Sequence, residues 1–545
     1  MRLLAGPRDG VAAAGGRSRR WRRATAGTVA VLALAAAGLL VTADAIPPSP
    51  VGWLAGDYAG APAVAAPVPG TPAERHPFLA APGRSGMHAD AASSDTHPFP
   101  GPLGRDPAVR SRRMGFAGGE CATVTFDRDG RIVTVCGTLA GFHLALLDPR
   151  TLEVLADRKL PQRPSSVEAI TRLRPGKIFD DTSGGAYFYL DDADRAVLAD
   201  SRQHVLRIAH RRTPGGRWEF VVTDDWDLTP HLPHDCIRWT HLFPDGDCDP
   251  VTSVMPDWAG RIWWVTRGGR VGTLDPATGA VRVLELAGEE IQNSFSVGPE
   301  AVSIVSDHAL YAFTAAADGM PRVLWREPYD RGTGTKPGSL SQGSGTTPTL
   351  LDPDGPGGAT GYVAITDNAD ERMHVLVYRR DPALPAARRL VCRVPVFGAG
   401  HSTTDNSLIG WGDSLVVENN YGYRNVTSLT FGRSVVGGLT RIDIRPDGSG
   451  CDQVWTSPVR SPSTVAKLSP VTGLVYLYTK QPSRLGLDAW YLTAVGFDDG
   501  GVRWRRLTGT GPSFDNNWAP VTLGPDGTAY VGVLNGLVAV RDTAG

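Results

Sequence analysis

Lysine is nearly absent from this chain. Only Lys159, Lys177, Lys336, Lys467 and Lys480 contribute to its 55 basic residues, and arginine supplies the rest. With abundant alanine and glycine, that bias reads as a GC-rich genome rather than as a binding surface. The formal charge is −1, but residues 1–45 hold seven Arg against Asp9 and Asp44, leaving about −6 for the remainder. The folded part therefore lacks the basic field that nucleic acid requires.

Other absences narrow the chemistry. No long segment carries helical periodicity, which points away from helix bundles and α/β folds. No CxxC pair occurs, which argues against zinc ribbons and thioredoxin chemistry. There is no HExxH, no GxSxG elbow and no Rossmann or P-loop glycine pattern. The stretch "GTGTKPGS" around Lys336 has glycines without the required spacing and reads as a flexible loop.

One apolar run stands out. "TVAVLALAAAGLLVT" follows the basic "RSRRWRR" and precedes "ADA" at Ala43 to Ala45, so residues 1–45 read as an export signal. A spanning helix needs about 20 apolar residues, a length reached only if Ala24 to Ile46 is counted. A cleaved signal peptide and a retained membrane anchor both fit, and either places the rest outside the cytoplasm. Six cysteines, an even number, agree with an oxidising compartment. Residues 46–118 turn to Pro, Ala, Gly and Ser, with too little periodic apolar surface to offset ordering entropy, and are expected to be a disordered linker. The tripeptide His-Pro-Phe occurs there twice, at His76 and His97, and reads as coincidence in a biased composition.

From Cys121 onward the chain consists of short β-rich runs separated by turns. A strand, turn, strand phrase recurs in "CATVTFDRDGRIVTVC", "DPVTSVMPDWAGRIWWVT", "STVAKLSPVTGLVYLYTK" and "NNWAPVTLGPDGTAYVGVLN", among others. Its spacing of roughly 44 to 60 residues suits four-stranded units. A second phrase, "LDPATGAVRVL" and its relatives, suits the tight hairpin of the outer strands. The tails "VLWREP", "QVWTSP" and "VRWRRL" place Trp325, Trp455 and Trp504 at matching positions, where they would sit between neighbouring units.

In these phrases the chain resembles the quinoprotein-dehydrogenase-like and YVTN-type β-propellers over about residues 119–545. The resemblance implies an all-β propeller of four-stranded blades. It carries no cofactor residue onto numbered positions, and nothing here points specifically to a quinone. Division into units of about 53 residues favours eight blades, with seven as the alternative. The last phrase leaves room for only three strands, so a closing strand is expected from around Ala108 to Ala117.

Candidate site residues follow from hairpin geometry. The start of one strand lies beside the end of its antiparallel partner, so Asp405 and Asn406 should meet Glu418, Asn419 and Asn420. The same rule groups Asn293 and Ser294 with Asp307 and His308, and Thr346 and Thr347 with Asp367 and Asn368. It also groups Ser463 and Thr464 with Lys480, and Asn516 and Asn517 with Asn535. The expectation is a polar ring at one channel mouth that binds a ligand, cation or partner protein. The bland reading is that such residues merely satisfy loop backbone where strands end. Oxygen groups of this kind suit Ca²⁺. An alternative is a metal-dependent lactonase-like hydrolase, with Asp405, Asn406, Asn293 and Glu418 holding the cation and His308 or His401 as base. Quinone-dependent oxidation is a third reading, by fold analogy alone. The chain is expected to be monomeric.

The cysteines complete the reading. Facing Phe126 with Arg131 sets Cys121 opposite Cys136. Cys236 and Cys248 would clamp the loop "HLPHDCIRWTHLFPDGDCDP", and Cys392 and Cys451 remain as the third pair.

Overall fold

The structure, a computed structural model, describes residues 44–115, 119–138, 141–163, 183–233, 249–355 and 361–544. Nearly all of the export segment and the Cys236–Cys248 pair lie outside these residues.

The blades form because short apolar strands can be covered on both faces. Ile262–Thr266 and Tyr362–Thr366 are buried at every position, as runs sandwiched between two layers must be. An outer strand such as Cys451–Ser457 is largely exposed or half-buried. The hairpin turns are set by an aspartate and a glycine. Asp127 Oδ1 accepts the N–H groups of Asp129 (3.0 Å) and Arg131 (2.8 Å), and Gly130 takes φ +80°, which a side chain would disfavour.

Eight antiparallel sheets result. Blades 1 to 8 begin with the inner strands Gly119–Phe126, Tyr189–Leu190, Val251–Pro256, Ser296–Val297, Thr349–Leu351, Ile409–Trp411, Lys467–Ser469 and Val521–Leu523. Eight apolar clusters lie between successive blades, and one of them joins blade 8 to blade 1 through Tyr530, Leu537, Cys121 and Phe126. The protein is an eight-bladed β-propeller. Trp325, Trp455 and Trp504 each sit against the following blade, as their matching positions imply.

The last blade is completed from the other end of the chain. Pro107–Arg113 forms its outer strand, running from Pro107 opposite Asp542 to Arg113 opposite Gly536. Tyr58–Gly60 adds a fifth strand to blade 7.

The linker expected over residues 46–118 needs correction, because much of it is packed. From Leu79 to Phe99 the chain enters the channel at the hairpin-turn face and visits one inner strand after another. Leu190 N–H donates to Ser85 O, Val297 to Ala91 O, Leu350 to Ala92 O and Gly410 to Ser94 O, and His97 N–H donates to Leu468 O. It leaves on the same face, where Ser469 Oγ donates to Phe99 O. The segment has no apolar periodicity because it makes no sheet of its own. Its backbone pairs with edges supplied by the blades, which offsets the ordering cost. The two His-Pro-Phe copies bracket this insert, and both histidines are buried.

Cys121 and Cys136 are bonded, although the register differs from the expectation. Phe126 faces Ile132, and a bulge between Cys121 and Thr123 restores the pairing. Cys392–Cys451 joins the outer strands of blades 5 and 6. Disulfides are typical of extracellular proteins. No helix among the described residues is long and apolar enough to cross a membrane.

The inter-blade disulfide closes a 59-residue separation. Replacing Cys392 and Cys451 together by Ser is expected to lower unfolding free energy by about 2–4 kcal/mol in guanidinium titrations without altering the circular dichroism of the fold.

Candidate functional site: the polar channel

The flanks of the Ile409–Trp411 hairpin do meet. Asn406 Nδ2 donates to Glu418 Oε2 at 2.6 Å, Thr404 Oγ1 to Asn420 Oδ1 at 2.6 Å, and Asp405 N–H to Asn420 Oδ1 at 3.3 Å.

Most of the expected ring is nevertheless committed to backbone and side-chain groups of the protein itself. Asn419 Nδ2 donates to the carbonyls of His401 and Gly437, both at 2.9 Å. Asn420 Nδ2 reaches Ser461 O. Asn516 Nδ2 donates to Ala519 O (2.9 Å) and Gly532 O (2.7 Å), and Asn517 Oδ1 accepts Tyr423 Oη at 2.8 Å. Asn368 Nδ2 holds the carbonyls of Arg331 and Gly334. Ser294 shares a hydrogen bond with Ser253, and Thr346 with Ser344. Asp367 is turned into its own blade, accepting His374 Nδ1 at 2.9 Å and Arg393 at 3.1 Å. Lys480 pairs with Asp488 at 2.7 Å rather than with a channel group, and Ser463 Oγ donates to Asn516 O at 2.8 Å.

Asn368 and its neighbours hold the blade 4 to blade 5 connection, residues 329–345, across the mouth. Leu340 N–H donates to Asp405 Oδ2 at 2.7 Å, and Ser339 Oγ lies 2.6 Å from Thr403 Oγ1. The stretch read as a flexible loop is thus a cover.

Between this cover and the insert lies a small cavity, with about 20 Å³ open to the centre of a water molecule. Met87, His88, Tyr187, Asn293, Leu340, Thr347, Asp405, Asn406, Val465 and Trp518 line it. Asn293 Oδ1 accepts Tyr187 Oη at 3.3 Å, and its Nδ2 donates to Gly345 O. Asp405 Oδ1, Asn406 Oδ1 and Glu418 Oε1 are buried without a hydrogen-bond partner. Burial pushes the Asp405 carboxyl up to about 8 against the opposing Leu340 N–H. It pushes Glu418 up to about 7, opposed first by Asn406.

His308 and His401 are not in the cavity wall. His308 Nδ1 lies 2.8 Å from Asp307, which Arg331 also engages, and His401 is exposed with its ring against Tyr421. Asn535 and Asp307 likewise serve local structure: Met114 N–H donates to Asn535 O, and Glu290 N–H to Asp307 Oδ1.

A network beneath the cavity, not foreseen from the sequence, binds the insert. Lys467 Nζ pairs with Asp95, and both are fully buried. His88 Nδ1 lies 3.1 Å from Asp95 Oδ1 and 2.9 Å from Ser407 Oγ, and His88 Nε2 lies 3.3 Å from Thr347 Oγ1. Burial raises the Asp95 carboxyl, but Lys467 and His88 more than offset this and hold it below its ordinary value. "MHADAASSDTH" was the available signal, a cluster of His, Asp and Ser inside an Ala- and Pro-rich stretch.

Comparisons with known proteins add little beyond the architecture. No family model matches the chain. It is 25% identical over 319 residues to an uncharacterized protein of Archaeoglobus fulgidus, covering 53% of this chain and 60% of that protein. Solved propellers are similar in shape at low identity. BamB from Moraxella catarrhalis is 15% identical with a TM-score of 0.33, covering 64% of this chain and 93% of its own. A streptogramin B lyase is 10% identical with a TM-score of 0.34, covering 80% and 98%. The WD40 domain of Toxoplasma gondii coronin is 11% identical with a TM-score of 0.39, covering 75% and 88%. At these values none of their activities transfers.

Two outcomes are expected. Lys467→Met leaves Asp95 charged and buried and should cost about 3–5 kcal/mol in urea unfolding. Asp95→Asn added to it should recover part of that loss, a coupling a free linker would not show. The folded state binds the Asp405 and Glu418 protons more tightly than the unfolded chain, where their ordinary values are 3.8 and 4.5. In chelated buffer their contribution to stability is therefore full below about pH 4 and is lost as pH rises to about 8. Asp405→Asn should flatten the upper part of this decline when unfolding free energy is measured across that range.

Proposed function

We propose that this protein is an extracytoplasmic binding propeller that takes one hard cation at the covered mouth of its channel. The observation that carries the reading is the pair of buried acceptor oxygens in the cavity wall without a hydrogen-bond partner, Asp405 Oδ1 and Asn406 Oδ1, with the Glu418 carboxyl bonded to Asn406 Nδ2. An acceptor buried without a partner forfeits its hydration, at about 1–3 kcal/mol each, unless something occupies it. Two carboxylates balance the charge of Ca²⁺, and amide and carbonyl oxygens are its usual further ligands. No group of three or more His, Cys, Asp or Glu side chains among the described residues is arranged for a metal. The unpartnered donors are oxygens, which suit a hard cation rather than zinc. A cavity of about 20 Å³ accepts a water or an ion but not an organic substrate. Neither His308 nor His401 lines it, so the lactonase-like alternative loses the two bases assigned to it, and the histidine that does line it, His88, is held by Asp95, Ser407 and Thr347.

Cation binding displaces protons from the two raised carboxyls, so affinity should increase from pH 6 to about 8. At pH 8, Ca²⁺ at one hundred times Kd is expected to stabilise the fold by about 2.7 kcal/mol over EDTA-treated protein, seen as a rise in the midpoint of thermal unfolding. Asp405→Asn should remove the shift. If Ca²⁺, Mg²⁺ and Na⁺ all leave the midpoint unchanged, the reading fails.

A further inference from the structure

A second cavity lies on the other face of the propeller, where the insert enters and leaves the channel. Its volume is about 870 Å³, within the range of roughly 300–1,000 Å³ usual for organic ligands. We propose that it is a binding site for an amphipathic organic anion, a molecule with an apolar body and a carboxylate, sulfonate or phosphate head.

The walls come from three separate parts of the fold. Pro82 belongs to the entry of the insert and Pro98 with Phe99 to its exit, while Pro149 and Pro525 come from turns of blades 1 and 8. Proline rings hold their backbone at fixed φ, so this apolar floor is formed before a ligand arrives and little ordering cost remains to oppose binding.

Charge selects the head group. Arg84 and Arg128 also border the cavity, but they share Asp194 at 3.5 and 2.7 Å. Arg75 and Arg150 stand exposed at the border, and neither guanidinium has an ion pair or side-chain hydrogen bond among the described residues, although the charge of Arg150 acts on Asp148 in the same turn. Two of the four wall carboxylates are ion-paired. Asp127 pairs with Arg131 and His210, Asp129 pairs with Arg131, and Asp526 accepts Thr528 N–H. The charge of Glu74 is felt at Asp352, in the turn of blade 5. The groups suited to an anion are thus two guanidiniums without an ion pair beside an apolar floor, a pairing that favours oxyanions able to accept two N–H groups at once.

The site lies on the face opposite Asp405, so the proposal is independent of cation binding. The test titrates full-length protein with 8-anilinonaphthalene-1-sulfonate, which carries an apolar ring system and a sulfonate. Expected is saturable fluorescence with one probe per chain, weakened at least tenfold in Arg75→Glu with Arg150→Glu. Both residues are exposed, so this variant should keep the wild-type unfolding midpoint. Displacement by a long-chain alkyl carboxylate but not by the matching alcohol is also expected. Non-saturable fluorescence, or an isotherm unchanged by the charge reversal in folded protein, would overturn the assignment.

Discussion

The pairing of Pro107–Arg113 with Gly536–Asp542 is the constraint on which the rest of the molecule depends. A propeller is a ring of sheets in which each blade buries apolar surface on two neighbours, and without closure two faces would stand open. Supplying the last outer strand from the N-terminal side ties ring closure to a contact distant in sequence. The cluster between blades 8 and 1, with Leu537 and Tyr530 against Cys121 and Phe126, then completes the circle.

The same device brings the segment that precedes that strand to the channel. The chain passes through the hairpin-turn face before reaching the last blade, and its backbone takes up edges that the inner strands would otherwise leave to water. Buried charge fixes the insert in place. Lys467 comes from blade 7 and Asp95 from the insert, so neither would be tolerated without the other. The two ends of the channel consequently differ. One is roofed by residues 329–345 over a cavity of atomic size, and the other opens into a space the size of an organic molecule.

Electrostatics explains why the covered end attracts attention although most of its amides are occupied. Asn368, Asn419, Asn420 and Asn516 satisfy loop carbonyls, which is the ordinary work of such residues where strands end. Asp405 and Glu418 differ because burial raises both carboxyls while neither is ion-paired among the described residues.

Much of this was legible in the chain. Turn chemistry and strand spacing favoured eight blades over seven and pointed to the closing strand near Ala108, the meeting of Asp405 and Asn406 with Glu418, and the placement of three tryptophans, because each depends on contacts within a hairpin or between repeats. Tertiary structure alone decided the rest. Whether Asp405 binds outward or is roofed depends on a loop from another blade. Whether "MHADAASSDTH" floats or fills a channel depends on strand edges hundreds of residues away, since an extended polar segment has no periodicity of its own to announce its partner.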